Sequence, residues 1–144
     1  MRIRPFRPGD GEAVVALWRD CGLTRSWNDP HRDIARKLAQ QPEGFLVAEA
    51  PDGTVRASAM FGYDGHRGWV NYLAVAPEHQ RRGLARALMQ AGEAWLQAQG
   101  CPKLNLLVRR SNLAAVAFYA RLGYGEDDVV SLGRRLIPDA PPGG

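Results

Sequence analysis

Apolar residues recur along this chain with two different periods, and the changes of period mark the predicted elements. Val14, Leu17, Trp18 and Cys21 fall on one helical face behind Asp10, so a helix is expected over residues 11–21, capped by Asp10 and ended by Gly22. A short strand, residues 2–7, precedes it. Residues 24–30 are rich in turn formers. Beyond them, Ile34 and Leu38 predict an inward-facing helix over residues 31–40, stopped by Pro42 and Gly44. Three strand-like runs follow at 45–50, 55–63 and 69–75, separated by the turn pairs Asp52-Gly53 and Asp64-Gly65, which is the pattern of a meander. The period then changes. Leu84, Leu88, Ala91 and Trp95 share one face of a helix over 83–99, with Gly100 at its end and Pro102 behind it. A strand over 103–108, a helix over 112–122 capped by Gly123, and further strands within 124–136 complete the pattern. The order is β-α-α-β-β-β-α-β-α-β with room for one more strand, a mixed α/β sheet in one domain (1–137). Residues 138–144 read as a disordered tail.

Composition narrows the class. The chain has 144 residues, the size of one domain, with 45% hydrophobic and 24% charged residues, which fits a globular protein and excludes a fibrous or low-complexity chain. Cys21 and Cys101 form no CxxC, and His31, His66 and His79 lack ligand spacing, so reduced thiols and no metal are expected. No apolar run suits a signal peptide or approaches the roughly 18 residues of a membrane span. A cytoplasmic location with no membrane partner is therefore expected. The net charge of +4 and pI near 9.5 suit an anionic partner. That partner could be a polyphosphorylated cofactor or nucleic acid, or the charge could simply be a solvated basic surface. The arginine pairs at 81–82, 109–110 and 134–135 are scattered rather than gathered in a recognised module, so no nucleic acid is expected.

The segment with the most chemistry is Gln80-Arg81-Arg82-Gly83-Leu84-Ala85, between the third meander strand and the long helix. A helix start presents unpaired N–H groups and the positive end of the dipole, which suits phosphate. Gly83 and Ala85 would let a diphosphate approach the backbone. The same residues also describe an ordinary strand-to-helix turn with solvent-facing arginines. Neither the P-loop GxxxxGK[ST] nor the dinucleotide GxGxxG is present.

This segment, preceded by Leu73-Ala74-Val75, resembles the acetyl-CoA signature [Gln/Arg]-x-x-Gly-x-[Gly/Ala] of the GNAT N-acetyltransferase superfamily. Asn112, Ala117-Phe118-Tyr119 and Leu122-Gly123-Tyr124 resemble its second conserved segment, and the element order is similar from residue 2 to about residue 136. Trp27-Asn28-Asp29-Pro30, residues 45–49, residues 62–68 and Ser131-Leu132-Gly133 resemble a bacterial subgroup called YpeA-like. The resemblance implies a mixed sheet of six to seven strands flanked by about four helices, with two central parallel strands splayed apart around acyl-CoA. It further implies an acetyl-CoA-dependent N-acetyltransferase (no metal) whose acceptor is a small amine, an amino acid or a protein amine, and it leaves a homodimer open.

By the same resemblance, the backbone of Arg81, Arg82, Gly83, Leu84 and Ala85, beside Gln80, takes the pyrophosphate. Leu73, Ala74 and Val75 pair with the pantetheine arm, and a backbone N–H there can polarise the thioester carbonyl. Asn112 contacts the arm, and Tyr119 acts as general acid toward the departing thiolate. Some members carry a catalytic carboxylate on the strand before the signature. This chain has Trp69 and Asn71 there, which leaves Glu49, Asp64, His66 or solvent as the base. The loop between the first two helices points to Trp27, Asn28 and Asp29 for the acceptor. A non-catalytic acyl-CoA sensor would keep the 80–85 segment without turnover.

Overall fold

Phe45, Leu46, Val47 and Ala48 are all buried in one strand. Side chains alternate between faces along a strand, so the sheet has to be covered on both sides. The computed structural model, which describes residues 1–139, shows how. β1 (Arg2–Pro5), β2 (Phe45–Glu49), β3 (Val55–Tyr63) and β4 (Gly68–Val75) are neighbours in that order and antiparallel, and β5 (Leu104–Asn105) lies parallel beside β4. On one face, α1 (Gly11–Asp20) and α2 (Pro30–Leu38) bring Val14, Trp18 and Ile34 against Phe45, Val47 and Met60. On the other, α3 (Leu84–Ala98) brings Leu88, Met89 and Leu96 against Ala57, Ala59 and Phe61, joined by Tyr119 from α4 (Leu113–Arg121).

Gly92 is where α3 crosses the sheet, because a Cβ there would fall within the ring of Phe61, which is fully buried. Overpacking of this kind destabilises by about 2 kcal/mol. Gly92→Ala is expected to lower the urea midpoint accordingly, with the denaturant slope unchanged.

Three expectations change. The sheet has five strands among the described residues rather than six or seven. The strand expected over 103–108 shortens to β5, and residues 124–136 form none. Asp127 explains part of this. Its carboxylate accepts from Lys103 Nζ at 2.9 Å and Asn105 Nδ2 at 2.9 Å, so side chains join this segment to β5 where a backbone ladder was expected. Val129, Val130 and Leu132 consequently stay exposed. Second, Asp139 falls in the stretch read as a disordered tail, yet it is 5% exposed and bound by Arg36, Arg135 and the N–H of Asp29. Residues 140–144 of that stretch lie outside the described residues. Third, Asp10 does not cap α1 with its side chain.

The reason is Arg4, 6% exposed, which donates Nη1 and Nη2 to Asp10 at 2.8 and 3.0 Å and Nε to Glu49 at 2.8 Å. Arg4, helped by the Arg7 N–H, holds the Asp10 carboxyl below its usual range. A depressed carboxyl stabilises the fold above the unfolded value of about 3.9, and that contribution is lost as pH falls through the folded value. Arg4→Met should therefore cost about 2 kcal/mol near neutral pH. In chemical melts its deficit relative to the parent should shrink as Asp10 becomes protonated.

Candidate active site

β4 and β5 pair only at Gly68↔Leu104 and Trp69↔Asn105, and beyond these two rungs the parallel strands part. Where they part, β4 bulges. Its register against β3 slips between Asn71 and Ala74, and Tyr72 takes a left-handed φ of 54°. Such a conformation is strained for an aromatic residue and needs its surroundings to hold it. Tyr72 stacks on Trp18 at 3.8 Å between centroids and donates its hydroxyl to Asp33 Oδ2 at 2.6 Å. Trp18 is itself fixed by donating Nε1 to Ser58 Oγ at 2.9 Å. The gap between the strands widens into a cleft of about 790 Å³. Leu73 lines one wall, and Asn112 and Tyr119 line the other. Asp33, Arg36 and Lys37 of α2 line it as well.

Beyond β4 the chain makes one 3-10 turn, Pro77–His79, and enters α3. Gln80 Nε2 returns to the carbonyl of Val75 at 3.1 Å. Arg81 and Gly83 are both left-handed, with φ of 64° and 81°, and Arg82 between them is not. Alternation of this kind turns successive N–H groups toward one concavity. No side chain caps α3, so its first amides have no partner within the helix. A Cβ at Gly83 would meet nothing within 4 Å, and Arg81, Arg82 and Arg86 are exposed around this open ground.

At α4, Asn112 caps the helix by accepting from the Ala115 N–H at 3.2 Å. Tyr119 packs edge-on against Phe118 and Tyr124 at 5.1 and 5.9 Å. Burial pushes its phenol up to about 12.

The profile of the Acetyltransferase (GNAT) family matches residues 12–124. The chain belongs to that family. Over 139 residues it is 51% identical to an acetyltransferase of Yersinia pestis (strain Pestoides F), covering 96% of this chain and 98% of the relative. An acetyltransferase of Pectobacterium atrosepticum is 50% identical over 139 residues, with the same 96% and 98% coverage. Among solved structures, the ribosomal-protein-S18-alanine N-acetyltransferase from Escherichia coli superposes with a TM-score of 0.72 at 26% identity, covering 88% of this chain and 78% of that one. The NatB acetyltransferase complex bound to CoA and MES superposes at 0.76 with 23% identity, covering 87% and 84%.

In this GNAT acetyltransferase the three residues named as bases stand outside the lining of the cleft, so any of them would have to act through water. Glu49 sits at the end of β2 with its carboxylate on Arg4. Asp64 builds the β3–β4 turn, accepting from the N–H groups of His66 and Arg67 at 2.8 and 2.7 Å and from Trp69 Nε1 at 3.3 Å. His66 lies in that same turn, and none of the three lines the cleft. Of the acceptor residues, Asn28 lines the cleft and accepts from Arg135 Nη1 at 2.6 Å. Asp29 instead caps α2, accepting from the His31 N–H at 2.9 Å, and Trp27 is 54% exposed without lining the cleft.

Sequence reasoning missed the polar face of α2. Asp33, Arg36 and Lys37 are spaced i, i+3 and i+4, which places them side by side. With Ile34 turned into the core, that neighbouring face meets the cleft. Tyr72 was missed as well, since a left-handed aromatic residue leaves no mark in the strand pattern. The Cys21 thiol also lines the cleft. It donates to the Val75 carbonyl at 3.2 Å, and burial raises its pKa.

Proposed function

We propose that this GNAT acetyltransferase moves an acetyl group from acetyl-CoA to a primary amine by direct attack. The observation that carries the reading is the parting of β4 and β5 beyond two rungs, with the uncapped start of α3 beyond one wall and Tyr119 in the other. A cleft of about 790 Å³ has the volume of a small-molecule site. The open ground before Gly83 suits a diphosphate, because no side chain already satisfies the amides there. The similar NatB structure was solved with CoA, which supports the same assignment.

Acetyl-CoA supplies the activated acyl group as a thioester. The amides of residues 81–85 hold the pyrophosphate, with Gln80 bracing the turn. The backbone of Leu73, Ala74 and Val75 runs beside the pantetheine arm, and the Asn112 side chain faces it. The nitrogen–carbon bond forms as the carbon–sulfur bond breaks, and the Tyr119 hydroxyl gives its proton to the leaving sulfur. Tyr119 stays protonated throughout the physiological range because burial raises its pKa to about 12. The same desolvation raises the proton affinity of a thiolate beside it, which keeps donor and acceptor matched. Cys21 takes no covalent part, since a thiol whose pKa is raised by burial is a poor nucleophile. Asp33 is the only carboxylate lining the cleft among the described residues, and Tyr72 and Arg36 already occupy it. The amine proton therefore leaves through water.

Isothermal titration with acetyl-CoA, using CoA, ATP and NAD as controls, tests the reading. Micromolar binding selective for CoA species is expected. Equal or absent heats for all four ligands would overturn it. Binding without turnover of any amine would point instead to a sensor.

A further inference from the structure

Tyr72 is a costly residue for the backbone it occupies. Asn71 pairs with Met60 and Ala74 with Ser58, so Tyr72 and Leu73 together face Ala59, two residues against one. A bulge of this kind leaves its extra residue out of the ladder and re-aims the strand. Its left-handed turn would suit glycine without strain and asparagine at little cost. Among the described residues only Gln41, Tyr72 and Arg81 combine a positive φ with a side chain, and Tyr72 is the aromatic one. A ring kept at such a position has to contribute through what holds it.

Three groups hold it, each at a different place. Ser58 Oγ reaches the Tyr72 carbonyl at 3.4 Å, a long bond, while accepting from Trp18 Nε1 at 2.9 Å. Ser58 and Trp18 are both fully buried, so this anchor is part of the core. The Trp18 ring stacks on the phenol ring with an interplanar angle of 9°. Asp33 Oδ2 accepts from the hydroxyl at 2.6 Å. Asp33 Oδ1 accepts from Arg36 Nη1 at 3.1 Å, and Arg36 Nη2 ends on Asp139 at 2.6 Å, whose side chain is 1% exposed. Carbonyl, ring face and hydroxyl are therefore fixed from β3, α1 and α2. The next residue, Leu73, lines the cleft.

We propose that Tyr72 is a positioning residue: its anchored side chain holds the left-handed turn of β4 and so sets the direction of the Leu73 amide toward the thioester carbonyl. The proposal rests on the acetyl-transfer reading and adds to it what keeps the backbone donor in place. A donor aligned before the ligand arrives spends nothing on reorganisation when charge develops on the carbonyl oxygen. Tyr72 acts only through its own backbone and forms no bond to the acetyl group.

The experiment reads the carbonyl carbon of bound [1-13C]acetyl-CoA by NMR, with acetyl-CoA titration and a thermal melt of each protein alongside. In the parent, the bound resonance should lie downfield of the free ligand. Tyr72→Ala should lose most of that displacement, because alanine keeps the strain and loses the anchors. Tyr72→Gly should keep more of it than Tyr72→Ala, since glycine adopts the turn freely; ordinary loss of packing would rank the two the other way. Tyr72→Phe and Asp33→Leu should each lose the same part, and the double variant no more than either alone, as expected of two groups that form one interaction. Asp33→Asn, whose amide oxygen still accepts from the hydroxyl, should restore that part. Acetyl-CoA affinity should stay nearly constant across the series. The proposal is overturned if Tyr72→Ala leaves the resonance unmoved, if Tyr72→Gly is no better than Tyr72→Ala, or if the losses of Tyr72→Phe and Asp33→Leu add. Should the alanine and glycine variants fail to fold, the Tyr72→Phe and Asp33→Leu pair decides by the same additivity. A parent that binds no acetyl-CoA would sink the acetyl-transfer reading itself, and this proposal with it.

Discussion

Tyr119→Phe should lower kcat about a hundredfold, the lower end of what a positioned general acid contributes, while leaving acetyl-CoA affinity nearly unchanged. The split follows from where the hydroxyl lies. The ring packs against Phe118 and Tyr124, and phenylalanine keeps those edge contacts, so the wall of the cleft survives. What disappears is the proton for the leaving sulfur. The pH profile offers a second check. A general acid must be protonated to act, and Tyr119 is protonated up to about 12. Parent activity should therefore rise as the amine loses its proton, with no descending limb from Tyr119 near the ordinary phenol value of about 10. A kcat for Tyr119→Phe within twofold of the parent would remove this residue from the chemistry.

Gly83→Glu should weaken acetyl-CoA binding by about a hundredfold or more, through two effects of the same sign. Each charge-assisted hydrogen bond lost to the anion is worth about 1.5–3 kcal/mol, and a carboxylate placed before α3 would occupy or repel the pyrophosphate site. Gly83 also sits at φ 81°, where a side chain adds strain of about 1 kcal/mol. Gly83→Ala separates the contributions, since it carries the strain without the charge and meets no neighbour within 4 Å. Titration should rank the parent above Gly83→Ala and Gly83→Ala above Gly83→Glu. Equal affinity for all three would show that the pyrophosphate lies elsewhere.

Much of the scaffold was legible because it follows from local pattern. The meander is marked by Asp52-Gly53 and Asp64-Gly65, and both glycines adopt the positive φ that their turns need. The apolar stripe Leu84, Leu88, Ala91, Trp95 gave α3 to within a residue or two. The start of α3 was legible for the same reason, since its geometry belongs to six consecutive residues. Pairing across long distances was less legible. Val129, Val130 and Leu132 have strand-forming side chains, but a strand needs a neighbour, and nothing local reports that β5 pairs at only two positions. Asp10 looked like a cap because sequence does not show that Arg4 is buried beside it and competes for its carboxylate. Asp33, Arg36 and Lys37 carried no signal in the sequence, because the cleft they line forms only where β4 and β5 diverge.

The two rungs at Gly68–Leu104 and Trp69–Asn105 have a mechanical consequence. β2 and β3 are each laced along their length on both sides, whereas one seam of the sheet is closed by the equivalent of a single clasp. Tension across the molecule would concentrate there. Spreading of this seam would widen the V at the cost of the contacts that Leu104 and Leu106 make with the core layer under α3, and it offers a bulky spent product a way out that needs no unfolding. The Gly68 amide, which donates to the Lys103 carbonyl across the seam at 2.8 Å, would then exchange with solvent well before those of Val47 or Ala59, and the difference would measure how often the seam opens.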